Sequence, residues 1–154
     1  MKNERAYKVF KIENGTVIDH INSPMALKII DILKVKDQGI VSIGLNFDSD
    51  KTGKKDLIKI ENVYLEKEQT DIIALFSPHA SINIIKNSQV IEKRKIEMPE
   101  VITSVLKCPN PKCVTNNYHD CETRFVVESY DESSTVVRCE YCERDTQVVP
   151  DMLK

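Results

Sequence analysis

The first hundred residues alternate between short runs with apolar side chains at every second position and two stretches with helical spacing. Tyr7–Ile12 and Thr16–Ile21 are β-favouring runs parted by Glu13-Asn14-Gly15, where Asn-Gly signals a turn. Ser23-Pro24 supplies an N-cap residue with Pro at the first helical position. Met25, Ile29, Ile30 and Leu33 then repeat as one face of a helix that ends near Val35. Ile40–Phe47 predicts a strand with Val41, Ile43 and Leu45 on one side. The polar Asp48–Gly53 loop leads into a second strand, Lys55–Glu61, in which Ile58 and Ile60 alternate with polar neighbours. Glu66–Phe76 places Ile72, Ile73 and Phe76 at helical spacing before Ser77-Pro78 stops it. Ser81–Ile85 and Gln89–Lys95 flank Lys86-Asn87-Ser88 as a hairpin.

The order is therefore β, α, β, β, α, β with extra hairpin material at each end. The economical way to bury such elements is an α+β domain of ferredoxin-like type: an open antiparallel sheet with two helices on one face. Beyond residue 100 the pattern becomes all-β. Thr123–Tyr130 and Ser134–Arg138 form an antiparallel hairpin across Asp131-Glu-Ser-Ser, and Thr146–Val149 reads as a further strand.

Composition divides the chain at the same place. All five cysteines follow residue 107. Residues 1–100 carry 16 basic and 15 acidic side chains, whereas 101–154 carry 6 and 9. The charged, Pro-containing stretch from Glu92 to Glu100 suits a linker, so the boundary is placed near Pro99, giving domains 1–99 and 100–154.

Cys108-Pro-Asn-Pro-Lys-Cys113 and Cys139-Glu-Tyr-Cys142 are two short cysteine pairs on separate turns. Each pair can offer two thiolates to one ion, which together complete the tetrahedral sulfur site of a structural Zn2+. Four protein ligands leave no open position, so the metal's role would be to fold a domain too small to rest on its core alone. A redox pair at Cys139 and Cys142, or iron–sulfur ligation, is the alternative reading. Cys121 stands outside the pattern as a partly buried or surface thiol.

The overall charge of −2, and the acidic balance of the cysteine-rich part, argue against a zinc-ribbon module that binds nucleic acid, the chief rival reading. None of the four Gly falls in a phosphate-binding GxGxxG or GxxxxGK[ST] pattern. No apolar run approaches the roughly 20 residues of a membrane span, and the N-terminus lacks the apolar core of a signal peptide. The expectation is a cytoplasmic protein with no membrane and no nucleic-acid partner. Asp19 and His20 could serve as acid and base in a stand-alone enzyme, but no nucleophile or open metal site accompanies them.

Several strand positions nevertheless share one chemistry. Asp19, His20, Lys59, Asn83 and Lys93 are polar or charged, and they are interleaved with Val9, Ile12, Leu57, Ile85 and Val90. Together they could form a pocket with an apolar floor and a cationic rim, suited to a base that carries phosphates. They could equally be the solvent-facing residues of half-exposed strands.

Four strings in register narrow the choice: GTVIDHI at 15–21, SIGLN at 42–46, GKKDLIKIEN at 53–62, and CPNPKC with CEYC at 108–142. Together they resemble the regulatory chain of aspartate carbamoyltransferase, from about Tyr7 to Val149. The resemblance implies a non-catalytic subunit of pyrimidine biosynthesis. Its N-terminal domain would bind ATP as activator and CTP or UTP as inhibitors, and would pair with a second regulatory chain. Its zinc domain would dock on the catalytic chain, three regulatory dimers bridging two catalytic trimers. Carried over residue by residue, nucleotide contacts fall on Val9, Ile12, Asp19, His20, Leu57, Lys59, Asn83, Ile85, Val90 and Lys93. The zinc ligands fall on Cys108, Cys113, Cys139 and Cys142. Ser88 departs from the pattern, standing where members of the family have a Tyr near the base, which is expected to alter affinity and base preference.

Overall fold

A computed structural model describes residues 11–49 and 53–154. The strand expected over Tyr7–Ile12 lies for the most part outside these residues, and so does Val9. Among the described residues no helix is long and apolar enough to cross a membrane.

The chain forms two compact units, one running through Leu65 and resuming at Ala80–Lys95, the other made of Glu66–His79 and Ile96–Lys154. The first holds strands β1 (Gly15–Asn22), β2 (Val41–Ser49), β3 (Gly53–Glu61), β4 (Ser81–Lys86) and β5 (Gln89–Lys95), with helix α1 (Ala26–Leu33). The sheet order is β2-β3-β1-β4-β5 and every pairing is antiparallel. Its first four strands have the split-βαβ order expected of a ferredoxin-like α+β fold.

One face of this sheet is buried and largely apolar, with Thr16 and Asp56 the buried polar residues on it. Ile18, Ile58, Ile60 and Ile82 are fully buried on it, as are Ala26, Ile29, Ile30 and Leu33 of α1. A β-bulge in β1 keeps Ile18 and Ile21 both buried: pairing with β3 jumps from Ile18↔Ile58 to Ile21↔Asp56, and His20 takes a left-handed φ of 56°. Gly15 must be glycine. Its φ is 140°, and a Cβ there would lie 2.1 Å from the Ile60 carbonyl oxygen. A second bulge, between Gly44 and Phe47, interrupts the alternation expected along β2 and leaves Leu45 40% exposed.

The start of α1 differs from the sequence expectation. Ser23 does not cap the helix; its hydroxyl bonds the Asn46 side chain, and the helix begins at Ala26. The donor at the helix N-terminus is met from another strand, by the fully buried Asp56 of β3. Its carboxyl group accepts from the Ala26 amide (3.0 Å) and from the Asn46 amide (3.0 Å). Asp56→Ala strands both amides, and the loss of stability in urea unfolding is expected to be about 2–3 kcal/mol. A change below 0.5 kcal/mol, roughly that of an ordinary surface substitution, would show that this carboxyl is not the cap.

The second unit contains helix α2 (Lys67–Phe76), strands β6 (Val101–Thr103), β7 (Arg124–Tyr130), β8 (Thr135–Cys139) and β9 (Asp145–Gln147), and the short helix α3 (Val114–Asn117). The four strands form an antiparallel sheet in sequence order. Glu66 and Gln69 start α2 with a reciprocal capping box. Leu75 of α2 joins the buried cluster of Ile102, Leu106, Phe125, Val137, Val148 and Met152, and its carbonyl accepts the Thr135 hydroxyl at 2.9 Å. By its contacts Glu66–His79 groups with the cysteine-rich part, although it precedes Pro99 in the chain.

Candidate functional site

Two groups of side chains carry chemistry, one in each unit. In the second unit, Cys108 and Cys113 bracket a turn that leads into α3, Cys139 ends β8, and Cys142 follows in the next turn. The turn is tight because the Cys113 amide donates back to the Asn110 carbonyl and the Lys112 amide to the Asn110 side chain. Cys108 and Cys142 sulfurs lie 3.7 Å apart, as do those of Cys113 and Cys139, and all four lie within 4.8 Å of one another. A tetrahedron with metal–sulfur bonds of about 2.3 Å has edges of about 3.8 Å. A disulfide would need about 2.05 Å, and all five cysteines are free.

The thiols respond to this crowding. Burial, with the neighbouring sulfurs, pushes the Cys108 and Cys139 thiols above the usual range. Burial acts the same way on Cys142, but hydrogen bonds from the Arg144 amide and the Asn110 side chain, and from the neighbouring thiols, outweigh it and bring Cys142 down to about 7. Four thiolates this close require a cation among them, and the group fits a bound metal. Cys121 lies apart from the cluster.

In the first unit, the sheet face opposite the fully buried one holds the polar residues singled out from the sequence. Directly paired residues in an antiparallel sheet project to the same side. Ser42↔Lys59, Lys59↔Val17, Val17↔Asn83 and Asn83↔Lys93 therefore make one transverse row across all five strands. Ile12, Val17, Ile85 and Leu57 pack into a small apolar cluster on this side. Val90, paired with Ile85, is 57% exposed on β5.

At the bulge, Asp19 is bonded by Lys55 at 2.9 Å and by the His20 amide at 2.7 Å, with His20 Nε2 at 3.8 Å. Burial raises the Asp19 carboxyl, but the Lys55 hydrogen bond, the His20 amide and the two nearby basic groups prevail and hold it below its ordinary value. Lys59 is shifted down, chiefly by burial and then by the charge of Lys11, with Asp19 opposing. The Ser81 hydroxyl and the Asn83 side-chain oxygen are buried with no hydrogen-bond partner among the described residues. Buried polar atoms of this kind ordinarily have a partner.

The sequence matches two family models end to end. Residues 7–97 fit the aspartate carbamoyltransferase regulatory chain, allosteric domain, and residues 100–148 fit the metal binding domain of the same chain. The chain belongs to the aspartate carbamoyltransferase regulatory chain family. Among its relatives, the regulatory chain of Pyrococcus horikoshii is 47% identical over 140 residues, covering 89% of this chain and 90% of that one. Those of Methanococcus maripaludis and Methanothermobacter thermautotrophicus are 45% and 41% identical, over 92% and 94% of this chain and 93% and 92% of their own. These relatives bear the name of the regulatory, not the catalytic, chain.

For a regulatory chain, the residues that sequence reading missed are informative. Lys55 and Ser81 lie on the same face as Asp19, but neither had a pattern to mark it. Lys55 is one of several lysines in a polar strand, and Ser81 is a strand-initial serine whose burial only the fold reveals. Asn116 and Asn117, which hold the first cysteine loop, were likewise unmarked.

Proposed function

We propose that this chain is the nucleotide-sensing subunit of an aspartate carbamoyltransferase. Residues 1–99 provide the effector-binding and dimerising domain, and residues 100–154 the domain that docks on catalytic chains. The observation that carries the effector site is the transverse row. Lys59 and Lys93 stand three strand spacings apart, roughly 14 Å, on either side of Val17 and Asn83. That separation suits an elongated ligand laid along the row. Asp19, with its lowered pKa, favours sugar hydroxyls over phosphate at the bulge. The Ile12, Val17, Leu57 and Ile85 cluster offers an apolar floor for a base, and Lys93 offers a cation for phosphates. His20 and Val90 complete the lining, and Val9 lies outside the described residues. ATP, CTP and UTP are the effectors that fit.

The metal is Zn2+, one per chain, because four thiolates with no oxygen or nitrogen ligand favour zinc in a structural role. Regulatory dimers bridge catalytic trimers in the cytoplasm, and effectors act by binding two quaternary states unequally, a coupling of about 1–3 kcal/mol.

Lys59→Ala tests the siting. Equilibrium dialysis with CTP and ATP is expected to show affinity reduced about tenfold or more, with a matching loss of effector response in the assembled enzyme. Unchanged affinity together with unchanged response would place the effector site elsewhere.

A further inference from the structure

The Cys108–Cys113 loop holds its shape only in part by itself, through the Cys113 amide on the Asn110 carbonyl and the Lys112 amide on the Asn110 side chain. Pro109 and Pro111 remove two of its amide donors, so most of its carbonyls must be satisfied from outside the loop. Two adjacent asparagines in α3 do this. Asn116 Nδ2 donates to the carbonyls of Cys108 (2.9 Å) and Asn110 (2.7 Å), while Asn117 Nδ2 donates to those of Pro111 (3.2 Å) and Cys113 (2.8 Å). Each carboxamide has two N–H groups, so all four donors are used. The assignment of nitrogen over oxygen is forced, because the reverse would set oxygen against four carbonyl oxygens. Adjacent helical residues project about 100° apart, so the two amides grip the loop from different directions. Thr115, just before them, has its hydroxyl 3.2 Å from the Cys113 sulfur.

We propose that Asn116 and Asn117 form a carboxamide clamp that fixes the first two thiols before the metal arrives and so sets how long the metal is held. They are positioning residues: neither touches the ion, and both act through the backbone of the ligating loop. The inference rests on the four-cysteine site holding a metal. Groups that orient ligands in this way commonly account for about 10–100-fold in metal affinity.

The test uses the full chain loaded with cobalt(II), whose thiolate charge-transfer absorption reports both geometry and occupancy, and an excess of a competing chelator. Asn116→Asp and Asn117→Asp keep the side-chain shape and remove every donor; Asn116→Ala removes the donors without adding charge. All three are expected to keep the tetrahedral cobalt spectrum and wild-type circular dichroism when loaded, yet to release metal at least about tenfold faster. Val114→Ala, in the same turn but with no side-chain bond to the loop, is expected to release at the wild-type rate. Release within twofold of wild type in the asparagine variants, or equal acceleration in Val114→Ala, would overturn the clamp alone. A wild-type chain that takes up neither cobalt nor zinc would overturn the metal reading together with it.

Discussion

Stripping the metal with a strong chelator is expected to unfold the β6–β9 sheet and abolish assembly with catalytic chains, while the β1–β5 sheet stays folded. The expectation follows from the thiols. Cys108, Cys113 and Cys139 are almost wholly buried within the same cluster as Leu106 and Phe125. Once the ion leaves, burial favours the protonated form of Cys108 and Cys139. Four sulfurs at van der Waals distance then contribute little that a small core can use. Structural zinc in comparable small modules supplies about 10–16 kcal/mol of folding free energy, more than the whole stability of most domains of this size. The sign with pH is the same for each ligand: metal binding displaces thiol protons, so occupancy is full at high pH and falls as pH drops. Cys139→Ser should reproduce the effect at neutral pH. With no Trp in the chain, amide hydrogen exchange is the natural readout. Protection of Phe125 and Val137 amides at wild-type levels in metal-free protein would sink the argument.

The second large effect is expected from Phe125→Ala, at about 3–5 kcal/mol in metal-saturated protein. Phe125 heads the fully buried side chains by volume, is 0% exposed, and is paired with Cys139 on one side and Ile102 on the other. The ring therefore holds the β7–β8 pairing that carries one of the ligands. Truncation leaves a cavity the sheet cannot close without moving Cys139. Phe125→Leu should cost clearly less, because most of the volume is kept. Guanidinium unfolding followed by hydrogen exchange of the β6–β9 amides would report it, and a loss below 1 kcal/mol would mean the core collapses freely.

What could be read in advance depended on range. The cysteine pairs and the Asn87-Ser88 hairpin turn were legible, because local chemistry alone dictates them. In the last of these, both residues take the left-handed φ that a tight hairpin needs. Asp56 was not legible as a helix cap, since it lies 30 residues from the amide it serves. Nor was Leu75: the spacing pointed to Ile72, Ile73 and Phe76, whereas α2 buries Ile73, Ala74 and Leu75. The bulges at His20 and Asn46 shift the alternation by one residue, which is why Leu45 surfaces where strict periodicity would bury it. The candidate face was legible as a set of polar strand positions. That Lys59, Asn83 and Lys93 line up in one row is a property of register, which a single strand does not encode.

The division of the chain has a consequence for anyone who would take the molecule apart. Because Glu66–His79 leaves the first unit and Ala80–Lys95 returns to it, the backbone passes from one unit to the other three times, at 65–66, 79–80 and 95–96. The two are nested like overlapping parentheses, each interrupted by a piece of the other. A gene fragment ending at residue 99 would carry away α2, whose Leu75 belongs to the metal-bearing core, and one beginning at residue 100 would lack it. A cut near residue 99 therefore follows the sequence boundary of the two domains but leaves α2 apart from the core that Leu75 joins.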